Sequence, residues 1–434
     1  MLDIRFVRDN PKLVQENARN KGYGDLSVDE VLKWDTAKRQ LQGQADELRE
    51  KRNSISSQMK GGKPTPELIE AGKQVKAELA DVETHLREAE QECLTRLKAL
   101  PNMALDTVPV GATEDENVVV KTVGEQPKFD FEPKSHAVIA EAKDWLDSKR
   151  AVKISGSRFV YIKGDLARLE FALWQFGIDT LTDQDTINKI INDAGLNGKV
   201  SNRPFTFVLP PAAAKQEVFE ATGRLNKQEQ TYKIEEEDLW LNASAEHTLS
   251  PMYMDEILSE NELPIRMVGY TTAFRREAGT YGKDTEGMFR LHQFNKLEME
   301  SFSTKETSLD EHLFMVAIQE YLMARLGLPY RVLEKCTADI GRPNAKGVDI
   351  EVWLPSQGTY RETHTADYIT DFQARAMKTR VRRENGELEL AHTNDATAFS
   401  ERPLIGIIEN FQTVDGDVVV PEALRPYLGG KDTI

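Results

Sequence analysis

The sequence holds only two cysteines in 434 residues, Cys93 and Cys336, far apart along the chain. That is too few for a disulfide framework or a cysteine-based zinc site, so a reducing, cytoplasmic compartment is expected. No apolar run approaches the ~18 residues that a membrane helix needs. The opening Met1-Leu2-Asp3-Ile4-Arg5 has no basic start followed by an apolar block, so neither export nor a membrane partner is expected. The phosphate-loop lysine motif and the G-x-G-x-x-G fingerprint are both missing, which points away from those two nucleotide folds. Internal repeats and low-complexity segments are missing too. Basic residues are outnumbered, 56 Lys and Arg against 72 Asp and Glu, for a formal charge of −16. That excludes a whole-surface nucleic-acid binder but leaves room for a local basic patch.

What is present reads as a water-soluble globular chain, 39% hydrophobic and 29% charged. Its length argues for two domains. Trp34, Leu41, Leu48 and Ile55 recur at seven-residue spacing. So do Leu68, Val75, Val82 and Ala89, and in a second register Leu79, Leu86, Cys93 and Leu100. Sustained heptads with charged residues between them predict a coiled coil over about 28–100. Gly61-Gly62 ends the first helix, and Thr65 can cap the second with Pro66 at its first position. The two helices then fold back as an antiparallel arm, each roughly 45–50 Å long at ~1.5 Å per residue. The arm is either a zipper or spacer, or a lever that reaches a distant partner, with Lys51, Arg52, Lys60 and Lys63 toward its tip. Pro101-Asn102 ends it, which places the domains at 1–103 and 104–434. Beyond a linker with a strand at Asn117–Lys121, helix-like and strand-like runs alternate, as in an α+β domain of antiparallel strands flanked by helices.

The segment Phe274 to Glu298 predicts a strand, a polar loop with Gly279, Gly282, Asp284 and Gly287, and a second strand. Alternation puts Arg290, His292, Phe294, Lys296 and Glu298 on one face. So many charges on a buried face are expensive unless they line a site. Arg275 suits a phosphate, Phe294 a base, Glu277 an exocyclic amine and Glu298 an ammonium. The competing reading is an exposed hairpin with a salt-bridged face.

At these residues the chain resembles motif 2 of the class II aminoacyl-tRNA synthetases, and within them the seryl-tRNA synthetase family. Further landmarks stand in order: Ser155-Gly156-Ser157-Arg158-Phe159, Lys163-Gly164, Ala167-Arg168-Leu169-Glu170, Leu209-Pro210-Pro211 and Thr222-Gly223-Arg224-Leu225. Asp349 to Pro355, Tyr360-Arg361-Glu362, Asp371 to Arg375, Arg402 and Ile408 to Gln412 follow. The resemblance implies a class II antiparallel sheet flanked by helices, behind the N-terminal arm. It also implies a serine–tRNA ligase that forms seryl-adenylate from L-serine and ATP with Mg²⁺. Serine then passes to tRNA(Ser), with tRNA(Sec) the further acceptor that the family allows.

By the same matching, ATP is expected against Arg275, Arg276 and Glu277, against Leu291, His292, Gln293 and Phe294, and against Glu362, Thr363, His364, Thr365 and Arg402. Arg275 and Arg402 are the expected catalytic residues, and Glu362 and Thr365 the expected Mg²⁺ ligands. Serine is expected against Ser244, Ala245, Glu246, Arg275, Glu298, Ala396 and Thr397. The helix Ala167–Thr180 and the strand Phe205–Pro211 resemble motif 1, which implies a homodimer. The arm is implied to bind tRNA.

The chain departs from the pattern in five places. Ser244-Ala245-Glu246 replaces Thr-Ala-Glu, and Thr363-His364-Thr365-Ala366 replaces a serine-rich run in which His364 reads as packed pocket wall. Ala396 stands where the family has Ser or Thr, with Thr397 one step on, and Glu401 precedes Arg402 where Gly is usual. The 181–202 segment looks longer than the usual connection and has no assigned role. Two other readings stay open: a synthetase-like paralogue with a different amino acid or acceptor, and a non-catalytic tRNA-binding protein.

Overall fold

The computed structural model describes residues 1–60, 65–223, 231–277 and 287–434. The expected helix stop at Gly61-Gly62, Lys63 at the arm's tip, Arg224-Leu225 and the loop residues Gly279, Gly282 and Asp284 lie outside them. The chain divides into two compact units, Met1–Met103 and Ala104–Ile434.

The first unit opens with two short helices, α1 (Ile4–Asp9) and α2 (Pro11–Asn20), before two long ones, α3 (Val28–Lys60) and α4 (Pro66–Ala99). Thr65 caps α4 by accepting from the Leu68 amide at 3.3 Å, with Pro66 at the first helical position. Leu100, the residue before Pro101, adopts extended backbone and ends the helix. Contacts across the pair run in opposite directions: Trp34 with Arg96, Lys38 with Glu90, Arg49 with Glu83, and Ile55 against Gly72. The helices are therefore antiparallel, and their seam buries Ala45, Leu79 and Leu86 against Leu41, Leu48 and Val82. Ala45, half a heptad from Leu41 and Leu48, completes a seam that the strict seven-residue register only half describes.

The second unit is built on an eight-stranded sheet. Its strands are β1 (Val118–Val123), β2 (Thr206–Val208), β3 (Ile265–Phe274), β4 (Gln293–Ser303), β5 (Tyr330–Glu334), β6 (Lys346–Leu354), β7 (Thr359–Thr370) and β8 (His392–Ser400). Their spatial order is β1-β5-β6-β7-β8-β4-β3-β2. All neighbours pair antiparallel except β2, which runs parallel to β3 at the edge. The strand expected over Phe205–Pro211 shrinks to three residues, because Pro210 and Pro211 have no amide to donate to a ladder. The helices α5 (Gly164–Thr182), α6 (Gln184–Asp193), α7 (Ser308–Leu326) and α8 (Arg402–Asn410) supply Leu169, Leu173, Ile187, Ile190, Phe314, Ile318 and Leu404 to the main core. The 181–202 segment thus has a packing role: α6 and Leu196 extend that core. Among the described residues no helix is long and apolar enough to cross a membrane.

Candidate active site

Strands β3 and β4 form the hairpin expected at 274–298, with Phe274 opposite Gln293 as its last pair. The second strand begins later than the alternation predicts. Met288, Phe289 and Leu291 turn into the core instead of continuing the ladder. Gly287 permits this: its φ is +65°, and a Cβ there would stand 2.2 Å from His136 Nε2.

A cavity of about 230 Å³ opens at this end of the sheet. Arg275, Glu277, Arg290, Leu291, Phe294 and Lys296 line it from the hairpin, with Met288 and Phe289 beside them. Glu362, Thr363 and Thr365 enter from β7, Thr397 and Ser400 from β8, and Glu401 and Arg402 from the start of α8. Residues some 130 positions apart in sequence (Arg275 and Arg402) thus share one wall.

The side chains are held. Arg275 donates from Nε to the Ala243 carbonyl at 3.2 Å, and its guanidinium lies 5.1 Å over the Phe294 ring. Arg402 donates to the Glu362 carbonyl at 2.9 Å, pairs with its carboxylate at 3.1 Å and covers the Phe289 ring at 4.9 Å. Arg361 lies over the same ring at 4.0 Å. Glu277 pairs with Arg290 at 2.6 Å. Glu362 is about half exposed, and Arg402, Lys335 and Arg275 hold its carboxyl down to about 2. It is a carboxylate at any working pH.

A buried polar set stands behind Lys296. Its ammonium pairs with Glu298 and lies 3.4 Å from the Ser244 hydroxyl, which donates to Glu298 Oε2 at 2.9 Å. Burial pushes the Glu298 carboxyl up, against the pull of that ammonium. Glu246 accepts from Gln373 Nε2 at 2.8 Å. Lys296, a cavity wall residue, therefore connects the cavity to Glu298 and Ser244.

Several expected contacts fall elsewhere. His364 is fully buried behind the sheet, its Nε2 donating to the Ala398 carbonyl at 3.1 Å and its Nδ1 2.8 Å from the Thr363 hydroxyl. A β-bulge is the reason. Ile350 faces His364 and Glu351 faces Glu362, so Thr363 is the extra residue and joins Glu362 on the cavity side while His364 turns away. Burial lowers its imidazole to about 3, so it is neutral. His292, expected on the face of Phe294, instead donates from Nδ1 to the Arg275 carbonyl at 2.9 Å and packs on Phe159. Arg276 and Gln293 are exposed outside the cavity. Ala245 is buried in a small core with Leu249 and Phe302. Ala396 pairs with Ala366 on one side and Met299 on the other, all three in the main core. Thr397 takes the opposite face: it lines the cavity, and it stands directly across from Glu298. Sequence reasoning missed Phe289, Arg361, Ser400 and Glu401. Arg361 left a trace inside the landmark Tyr360-Arg361-Glu362, and Glu401 as a departure beside Arg402.

Residues 1–104 match the family described as seryl-tRNA synthetase N-terminal domain, and residues 229–411 match tRNA synthetase class II core domain (G, H, P, S and T). The serine–tRNA ligase of Methanocella arvoryzae is 38% identical over 100% of both chains. That of Corynebacterium efficiens is 37% identical over 100% of this chain and 99% of the relative. The crystal structure of seryl-tRNA synthetase from Pyrococcus horikoshii complexed with ATP superposes with a TM-score of 0.89 at 34% identity, covering 100% of this chain and 99% of that one. A cytoplasmic serine–tRNA ligase from Naegleria fowleri in complex with AMP gives 0.83 at 28% identity, with 100% and 98% covered.

Proposed function

The chain belongs to the seryl-tRNA synthetase family, and we infer from that membership and from its cavity that it is a serine–tRNA ligase. It binds ATP, and the L-serine carboxylate oxygen attacks the α-phosphorus as the bond to the departing pyrophosphate breaks. A terminal ribose hydroxyl of tRNA(Ser) then attacks the seryl carbonyl, and AMP leaves. No protein nucleophile is required, so the protein's contribution is positioning and stabilisation of developing charge.

Arg275 bridges the α-phosphate and the serine carboxylate. Phe294 supports the adenine, Arg402 covers its other face, and Glu277 accepts from its amine. Glu362 and Thr365 offer a carboxylate and a hydroxyl. Magnesium takes one or two such hard oxygens together with substrate phosphates and water, so this donor set fits Mg²⁺. Such an ion supplies charge neutralisation at the phosphates. Ser244, Glu246 and Glu298 hold the serine ammonium, and Thr397 receives the serine hydroxyl. The observation that carries this reading is the convergence of Arg275, Phe294, Glu362 and Arg402 from four separate segments on one cavity.

The antiparallel arm, with Lys51, Arg52 and Lys60 exposed toward its tip, is the tRNA-binding element of this reading. A homodimer belongs to the same reading, with the exposed apolar Phe171 of α5 and Leu209 after β2, both on the elements that resemble motif 1, as its expected contacts. The reaction is placed in the cytoplasm. Serine-dependent exchange of labelled pyrophosphate into ATP tests the assignment. Exchange with another amino acid and none with serine overturns it.

A further inference from the structure

One buried cluster reaches the cavity without any role in the reading above. Glu401, 5% exposed, follows β8 and precedes Arg402. Its Oε1 accepts from the Asn295 amide at 2.8 Å, while its Oε2 is buried without a hydrogen-bond partner among the described residues. The side-chain amide of the same Asn295 donates to Oε1 of Glu170 at 2.8 Å. Glu170 lies on α5 and is also 5% exposed. One asparagine therefore bridges two buried carboxyl groups on different elements. Other ionisable groups face them. Tyr270 of β3 is pushed up to about 12, first by burial and then by Glu170 and Glu401. Lys296 of β4 is already paired with Glu298, and Arg402 of α8 with Glu362 of β7. Two carboxylates this deeply buried, with no cation paired to either among the described residues, do not both ionise at neutral pH. Burial raises both carboxyls, and for Glu401 the nearby Glu170 raises it further.

We propose that Glu401 is a positioning residue of the nucleotide cavity, latching the start of α8 to β4 beside Phe294 and, through Asn295, tying that latch to Glu170 of α5. Glu401 acts through Arg402 and Phe294 and makes no bond to the reacting atoms. The latch holds while Glu401 keeps its proton. Loss of that proton leaves a buried negative charge that repels Glu170, and the start of α8, which carries Arg402, loosens from β4. A carboxyl raised in the folded protein contributes fully at acid pH and loses its contribution as pH rises through its folded value. ATP binding should therefore weaken on the alkaline side.

This inference rests on the ligase reading, and its test separates the two. KM for ATP is measured by serine-dependent pyrophosphate exchange from about pH 6.5 to about pH 9 in the full-length protein, on the alkaline side of the ordinary carboxyl range because burial and Glu170 raise Glu401. In the unaltered protein KM climbs roughly three- to tenfold, the size of a charge repulsion worth up to about one pKa unit. In Glu401→Gln, which keeps the acceptor for Asn295 but cannot ionise, the climb disappears. In Glu170→Gln, which removes the repelling neighbour, the climb moves to lower pH. An unchanged climb in Glu401→Gln, or a flat profile in the unaltered protein, overturns the proposal. Should Glu401→Gln fail to fold, an unmoved climb in Glu170→Gln overturns it equally. If no serine-dependent exchange occurs at all, the ligase reading fails instead, and calorimetric titration of ATP over the same pH range tests the latch alone.

Discussion

Thr397→Val is the perturbation that separates two adjacent residues with different fates. Thr397 lines the cavity and stands across the β8–β4 ladder from Glu298, whereas Ala396 lies in the core between Ala366 and Met299. Valine keeps the shape and β-branching of threonine and removes only the hydroxyl. Losing one neutral hydrogen bond costs about 0.5–1.5 kcal/mol, roughly two- to twelvefold in kcat/KM for serine. Leaving the serine hydroxyl buried with no partner raises this toward about 3 kcal/mol, or ~150-fold. Alanine as substrate has no hydroxyl to lose, so the serine-to-alanine preference should fall by the same factor. Pyrophosphate exchange with serine and with alanine reads both numbers. The companion variant Ala396→Ser adds a hydroxyl to the core instead. It should lower thermal stability by about 1–3 kcal/mol and leave KM for serine where it was. An unchanged serine preference in Thr397→Val, or a sharper one in Ala396→Ser, would refute the assignment of the cavity face to Thr397.

Arg275→Ala should reduce serine-dependent exchange on the order of 10²–10³-fold, the usual loss for one preorganised donor at developing charge; exchange within a few-fold of the unaltered rate would sink its role at the α-phosphate. Deleting residues 34–98 should spare adenylate formation and abolish tRNA charging, and normal charging by the truncated protein would show that the arm is only a spacer. His364 and His312 are both lowered to about 3 by burial. Each must stay neutral in the folded protein, so each withdraws stability as pH falls below about 6.5, by up to about 1.4 kcal/mol per pH unit. His364→Asn should remove one such slope from thermal melts between pH 7.5 and pH 5; an unaltered slope means the imidazole is not held neutral.

Much of the arm was legible in the chain because helices and their caps are local. The heptads, Thr65-Pro66 and the stop at Pro101 all act within a few residues, and the structure places α3 and α4 where those signals lie. The hairpin was legible for the same reason, but its second strand was placed too early. Alternation cannot say that Met288, Phe289 and Leu291 leave the ladder for a core supplied by distant helices. At the cavity, residue type read well and residue direction did not. A strand's faces follow a period of two only while the ladder is unbroken, and bulges beside Glu362 and after Thr397 reset it. The bulge beside Glu362 turns His364 away, whereas Ala396, expected at the site from the family pattern, faces the core by the ordinary alternation with Thr397.

By itself the sequence determined the α+β class, the antiparallel arm and the chemical inventory of a nucleotide site, since periodicity, caps and side-chain type are properties of short stretches. Only the tertiary structure decided which of those side chains meet. The order β7-β8-β4-β3 brings Glu362, Thr397, Phe294 and Arg275 onto one wall, and a single residue inserted in the ladder sends Thr363 toward the cavity and His364 away from it. Sheet neighbours far apart in sequence, and the register between them, are set by burial of the whole core.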